Sequence, residues 1–244
     1  MRKALLSLGL LALAGTPALA QTQAAPAACG GDLATFLEGV KAEAVTKGIP
    51  AEVADRALAG AAIDQKVLSR DRAQGVFKQT FTEFSKRTVS KARLDIGAQK
   101  MKEYADVFAR AESEFGVPAP VITAFWAMET DFGAVQGDFN TRNALVTLAH
   151  DCRRPEMFRP QLLAAIEMVQ HGDLEPAATS GAWAGEIGQV QMLPEDIIAS
   201  GVDGDGDGHV NLKKSAPDAI LTAATFIQSL GFKAGQPWIQ EVSV

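Results

Sequence analysis

Cysteine is scarce in this chain, with two among 244 residues. The three histidines, His150, His171 and His209, are scattered, so neither residue type has the spacing of a zinc site. A single Tyr and an aromatic share of 7% leave no platform for stacking nucleic-acid bases. Positive charge is not in excess: 23 Lys and Arg stand against 29 Asp and Glu, for a net charge of −6. That balance argues against capture of nucleic acid or an anionic membrane by charge, and no nucleic-acid partner is expected. No apolar run reaches the length of a transmembrane helix. What the chain does have is 47% hydrophobic and 21% charged residues, enough to bury a core. A disordered chain, a coiled coil and a collagen-like repeat are excluded. The length suits one large domain or two small ones.

The first twenty residues read as a signal peptide. Arg2 and Lys3 form a positive start, Ala4 to Ala14 an apolar stretch, and Pro17-Ala18-Leu19-Ala20 a small-residue cleavage site. The chain is therefore expected to be an exported, soluble protein. Residues 21–31 read as a flexible lead-in and 32–244 as the folded domain. Pro26-Ala27-Ala28-Cys29 ends in Cys as a lipoprotein box does, but Pro26 stands where Leu is wanted and Cys29 lies far past the apolar stretch. In an exported chain two cysteines suggest one disulfide, Cys29 to Cys152, with two free thiols as the alternative.

The rest of the chain reads as helices. Leu33, Phe36, Leu37, Val40 and Ala44 recur at spacings of three and four, and Gly48 stops the run. Further helices are predicted over Pro50–Ala59, Val76–Phe84, Lys91–Phe115, Val121–Thr130, Asn143–His150, Gln161–Gln170, Pro194–Ser200 and Pro217–Leu230. Lys91–Phe115 reads as one long helix with Leu94, Met101, Tyr104, Val107, Phe108 and Ala111 inward. Residues 179–193 are glycine-rich and irregular. No run of alternating strands stands out, so the fold class is mainly α.

Chemistry concentrates at Phe125-Trp126-Ala127-Met128-Glu129-Thr130-Asp131-Phe132-Gly133. Glu129 follows Phe125 by four residues and Trp126 by three, which puts a carboxyl on an otherwise apolar helix face. Such a group is paired, exposed at the edge of the face, or an acid with raised proton affinity. The helix C-terminus disfavours its ionised form as well. A proton donor to a leaving-group oxygen needs this setting.

Three ordered blocks carry a resemblance. Phe125–Gly133 continues through Val135-Gln136-Gly137-Asp138-Phe139 and Leu148-Ala149-His150-Asp151-Cys152-Arg153-Arg154. A second block is Gly181-Ala182-Trp183-Ala184-Gly185-Glu186-Ile187-Gly188-Gln189-Val190-Gln191-Met192-Leu193-Pro194, and a third is Val202-Asp203-Gly204-Asp205-Gly206-Asp207-Gly208-His209. Together they resemble the soluble periplasmic lytic murein transglycosylases related to membrane-bound lytic transglycosylase B, glycoside hydrolase family 103. The resemblance implies a lysozyme-like α-helical domain that cuts the MurNAc–GlcNAc bond of peptidoglycan glycan strands without water, leaving a 1,6-anhydro-muramic acid end. It places the single catalytic glutamate at Glu129, acting as acid and then as base toward the muramic 6-hydroxyl. The substrate's own N-acetyl group supports the intermediate, so the two-carboxylate scheme of most glycosidases is not required. Gln191 matches the family's substrate-contacting glutamine, with Gly188 and Gln189 beside it. Trp126 and Trp183 are candidates for sugar stacking. Glu186 and Ile187 stand where relatives usually carry Ala and Met, and Met192 where they carry Phe. Facing the cleft, charge on Glu186 would raise the proton affinity of Glu129 or hinder binding, and the alternative is that it points to solvent.

Asp203, Asp205 and Asp207, with Gly208 sixth, match the first half of an EF-hand loop. His209 would offer its main-chain carbonyl, and Asn211 holds the ninth position. The twelfth is Lys214, so this is not an ordinary EF-hand, and the resemblance supplies the last acid at Asp218. Asp218 also fits a helix cap with Ser215. The expected cofactor is structural Ca2+, with no organic cofactor. Relatives commonly continue well past Pro237-Trp238, so a C-terminally short domain is expected. Two other readings keep the same fold: a non-catalytic wall-binding protein, and a lysozyme-type hydrolase with Glu186 as second carboxylate.

Overall fold

A computed structural model describes residues 29–73, 80–237 and 241–243. The signal peptide, the lead-in up to Ala28, Val76 and Phe77 of one expected helix, and Trp238 lie outside the described residues. Within them the chain is mainly α: eleven helices and two two-residue strands. In order these are α1 Leu33–Thr46, α2 Ala51–Leu58, α3 Gln65–Arg72, α4 Phe81–Thr88, α5 Lys91–Glu103, α6 Ala105–Phe115, α7 Ala119–Thr130, β1 Phe139–Asn140, α8 Thr141–His150, α9 Pro155–His171, β2 Ser180–Gly181, α10 Pro194–Ser200 and α11 Ala216–Ser229. No described helix is long and apolar enough to cross a membrane.

The core is built where helical periodicity is strongest. Trp126, Phe158, Ile122, Leu145, Leu162, Ile166, Met168, Ile220 and Leu221 are fully buried. They come from α7, α8, α9 and α11; α8 packs on α9, and α11 packs on both α6 and α7. The strands pair antiparallel, Phe139 with Gly181 and Asn140 with Ser180. This pairing ties the chain just after α7 to the start of the glycine-rich segment.

Several sequence expectations change in the fold. The long helix over Lys91–Phe115 is two helices, broken at Tyr104 (φ −112°, ψ 32°). No Gly or Pro marks the break. Its cause is tertiary: α5 packs on α7, whereas α6 packs on α11, and the Tyr104 ring turns onto Trp126 at 6.1 Å. Leu94, expected inward, is 61% exposed because α5 follows its own axis. The helix expected from Gln161 starts at Pro155 and carries Pro160 inside it. Proline at the first helical position is favourable, while Pro160 removes one i→i−4 bond. The polar α3 has only Val67 and Asp71 buried, so no apolar stripe announces it; the Asp64 side chain caps it through Lys66 N at 2.8 Å. The helix containing Phe84 begins at Phe81, after a capping box between Thr80 and Glu83.

Cys29 and Cys152 form a disulfide with Cα atoms 5.2 Å apart and a sequence separation of 123. Beside it Gly30 N donates to His150 O at 2.7 Å. Arg153 and Arg154, just after Cys152, both bind the buried Asp71 of α3, Arg153 at 2.6 Å. The disulfide thus staples the N-terminal end of the described fold to the α8–α9 turn, and Asp71 fastens α3 to the same turn. Replacing both cysteines by serine should lower unfolding free energy by about 2–5 kcal/mol. Denaturant unfolding of the two proteins checks this.

Candidate active site at the end of the seventh helix

Helix α7 buries Ile122, Trp126 and Thr130, residues spaced by four, and turns its other side outward. Trp126, at 1% exposure, is part of the core and offers no face to a sugar. Trp183 is only partly buried. Glu129 lies on the outward side, and the helix ends immediately after it. Asp131 and Phe132 both take left-handed backbone angles, with φ 50° and 60°. Asp131 turns away and pairs with Arg93 of α5 at 2.5 and 3.1 Å.

Thr130 joins this helix end to the glycine-rich segment. Its hydroxyl accepts from Gly133 N at 2.8 Å and donates to Gln189 O at 2.5 Å. The segment is braced from within by an antiparallel bridge in which Ile187 N donates to Met192 O at 2.9 Å. Ala182 N donates to Glu186 O at 2.9 Å, and Gln189 N to Leu212 O at 2.8 Å. Glycine is required for packing here. A Cβ at Gly181 would fall 2.0 Å from Glu186 O, one at Gly185 2.4 Å from the Leu145 side chain, and one at Gly188 2.5 Å from Leu212. Gln189 is 6% exposed, its side chain lying against Gly133. Gln191 has φ 48°, and its amide nitrogen donates to Gly188 O at 2.8 Å and Gln136 O at 3.3 Å.

Glu129 is exposed on its open side but crowded beneath. Among the described residues no side chain donates to its carboxylate. Loss of water raises its proton affinity above the ordinary carboxylate value, and the nearby Glu186 raises it further. Glu186 is half-buried and also raised, chiefly by burial; the backbone N–H groups of Glu186 and Ala184 and the charge of Arg154 oppose this. A concavity of about 530 Å3 is lined by Lys47, Pro160, Glu167, His171, Glu195 and Asp196, and neither glutamate lines it.

The acidic loop brings Asp203, Asp205 and Asp218 together, each placing a carboxylate oxygen within 4.8 Å of the others. Asp218 is fully buried. It accepts from Gly204 N at 2.9 Å and Asn211 N at 2.7 Å, and its own N–H donates to Ser215 Oγ, the helix cap, at 3.3 Å. Capping and loop closure are thus both roles of Asp218. Asp207 stands outside the cluster and accepts from His209 N at 2.9 Å, while the His209 ring meets Asp173 at 3.0 Å.

Thr130, Arg154 and Asp71 were not singled out as site residues from sequence. For Thr130 a signal exists: it falls on the Ile122–Trp126 stripe, so a buried hydroxyl needing partners was predictable. For Asp71 there is none, since its two arginines lie 82 and 83 residues away.

Comparison with known proteins agrees with this geometry. The family model described as "Transglycosylase SLT domain" matches residues 32–244. Membrane-bound lytic murein transglycosylase B of Escherichia coli (strain K12) is 30% identical over 153 residues, covering 62% of this chain and 42% of that protein. The structure of Pseudomonas aeruginosa SltB3 in complex with NAG-anhNAM-pentapeptide has a TM-score of 0.80 at 33% identity, covering 86% of this chain and 56% of that one. Escherichia coli SLT35 in complex with calcium gives 0.76 at 28% identity, covering 86% and 68%. The chain spans under half the length of the curated relative and a little over half of SltB3. Its mainly helical fold is the lysozyme-like one of these neighbours, and the chain belongs to the transglycosylase SLT domain family, among the relatives of lytic murein transglycosylase B.

Proposed function

We propose that this chain cleaves the β-1,4 bond between MurNAc and GlcNAc of peptidoglycan glycan strands without water, leaving 1,6-anhydroMurNAc ends. The observation that carries this reading is Glu129: an exposed, unpaired carboxyl at a helix C-terminus whose surroundings favour its protonated form. Glu129 donates its proton to the glycosidic oxygen as the C1–O bond breaks. The resulting carboxylate takes the proton of the muramic 6-hydroxyl as that oxygen bonds to C1. Glu129 thereby regains its proton and is ready for the next bond. The SltB3 complexes with NAG-NAM-pentapeptide and NAG-anhNAM-pentapeptide support a glycan-strand substrate.

Gln191 contributes to substrate binding. Its amide N–H groups are engaged by backbone, which leaves its carbonyl oxygen to accept from a sugar hydroxyl. Gly188 and Gln189 shape the wall on which the sugar rests. A hydrolytic reading with Glu186 activating a water is less well supported, because the Oε2 atom of Glu186 is enclosed. The location proposed is the periplasm, reached through cleavage of residues 1–20 and followed by the lead-in 21–31 and the domain 32–244; the Cys29–Cys152 disulfide suits an oxidising compartment.

The acidic loop suits a structural Ca2+. Its donors are all oxygens, and Asp203, Asp205 and Asp218 hold three carboxylates close enough to repel one another. A cation there would neutralise them and pin the loop to the first turn of α11. Asp207 and the main-chain carbonyl of His209 remain proposed outer ligands.

Mass spectrometry of products from purified peptidoglycan should show masses one water below the hydrolytic ones. Glu129→Gln should slow their release by about 100- to 10,000-fold. Because Glu129 must start protonated, activity should fall as pH rises through a pKa that burial and the Glu186 charge hold above its ordinary value. Millimolar Ca2+ should raise the melting temperature of the unaltered chain, and Asp205→Asn should abolish that increment. Calorimetry with and without chelator checks this.

A further inference from the structure

The chain leaves α7 through left-handed angles at Asp131, Phe132 and Gly133, and takes another at Gly137. Gln136 lies inside this turn, and the backbone on either side of it is fixed. Val135 N donates to Thr130 O at 2.9 Å, and a Cβ at Gly137 would fall 2.2 Å from Gly181 O. The Gln136 side chain folds back into the molecule. Its Nε2 donates to Gly133 O at 3.0 Å and to Lys213 O at 3.1 Å. Both amide hydrogens are used, and turning the amide over would set its oxygen against two carbonyl oxygens. Its Oε1 is enclosed and has no hydrogen-bond partner among the described residues.

The residue before Lys213 holds the other side of the site. Leu212 O accepts from Gln189 N at 2.8 Å. Two adjacent carbonyls thus hold the glycine-rich segment and the turn after α7 on one support. Gln191 lies where these two parts meet. Its amide nitrogen donates to Gly188 O within its own segment and to Gln136 O in the turn. The bond to Gln136 O is the only one of the two that reaches outside the segment. The Gln136 side chain fixes where its own carbonyl stands, and that carbonyl helps to fix the direction of the Gln191 amide.

We infer that Gln136 is a positioning residue for substrate binding: its side-chain amide clamps the turn after α7 to Lys213, and its carbonyl aims Gln191 so that the free amide oxygen of Gln191 faces the sugar. This rests on Gln191 contacting the glycan, as proposed above.

The test is a double-mutant cycle read by binding. Calorimetry measures the Kd of a soluble tetrasaccharide of alternating GlcNAc and MurNAc, with Glu129→Gln present throughout so that no bond is cut. Gln136→Met keeps the length of the side chain and removes both donors. It should weaken binding by about 3- to 10-fold, as for the loss of one well-aligned hydrogen bond. Because it also removes an enclosed, unpaired oxygen, the melting temperature should fall by no more than about 4 °C. In a Gln191→Met background the same change should have less than about a twofold effect, since a residue acting through Gln191 has nothing left to aim. An unchanged Kd, or a loss that adds in full to that of Gln191→Met, would overturn the inference. If Gln136→Met does not fold, Gln136→Asn decides: its shorter amide cannot span both carbonyls, and an unaltered Kd overturns the inference. No binding by the starting chain overturns it as well, while product masses judge cleavage separately. Coupled binding in a chain whose native Glu129 form releases no anhydro products upholds the positioning role and rejects the proposed activity.

Discussion

The hydroxyl of Thr130 is almost wholly buried and has two hydrogen bonds, one within the turn that ends α7 and one to the glycine-rich segment. Both cross the place where the helix stops and the chain takes left-handed angles at Asp131 and Phe132. A buried hydroxyl without partners is costly, so the two bonds are made together or the packing fails. Through them the direction of Glu129, one residue earlier, is locked to the position of Gln189 and thus of Glu186. The placing of the end of α7 against the glycine-rich segment depends on this contact.

A second constraint works on the far side of the domain. Asp71 is 1% exposed and binds two arginines that directly follow Cys152. A buried carboxylate deprived of such partners would be strongly destabilising. The disulfide and this ion cluster converge on one turn between α8 and α9. That turn also carries Arg154, which connects the stapled side of the fold to the charge of Glu186. Covalent anchoring and the electrostatics of the site thus share a short stretch of chain.

Much of the fold was legible in the sequence because the core helices carry apolar stripes, and because Gly and Pro mark most of their ends. The parts that were not legible have physical reasons. Tyr104 breaks a continuous amphipathic pattern only because α5 and α6 have different packing partners. The polar α3 is held by a cap and by a long-range ion cluster, neither of which leaves a periodic trace. At the site, Glu129 stood out as a carboxyl on an apolar face, and the acidic spacing at Asp203 and Asp205 was plain. That Asp218 is fully buried and closes the loop with both carboxylate oxygens depended on contacts 7 and 14 residues away, which no local pattern prints.

The glycine-rich segment invites the thought that glycine is there to let a sugar come close. In the fold the missing Cβ positions of Gly181, Gly185 and Gly188 point at the chain's own backbone and side chains. Selection at these positions would then be read by the interior of the protein and not by the ligand. In a set of diverging sequences, strict glycines here would mark a crowding limit, and a ligand could be exchanged without relaxing them. The side chains between these glycines carry no such crowding limit and are where the segment is free to vary.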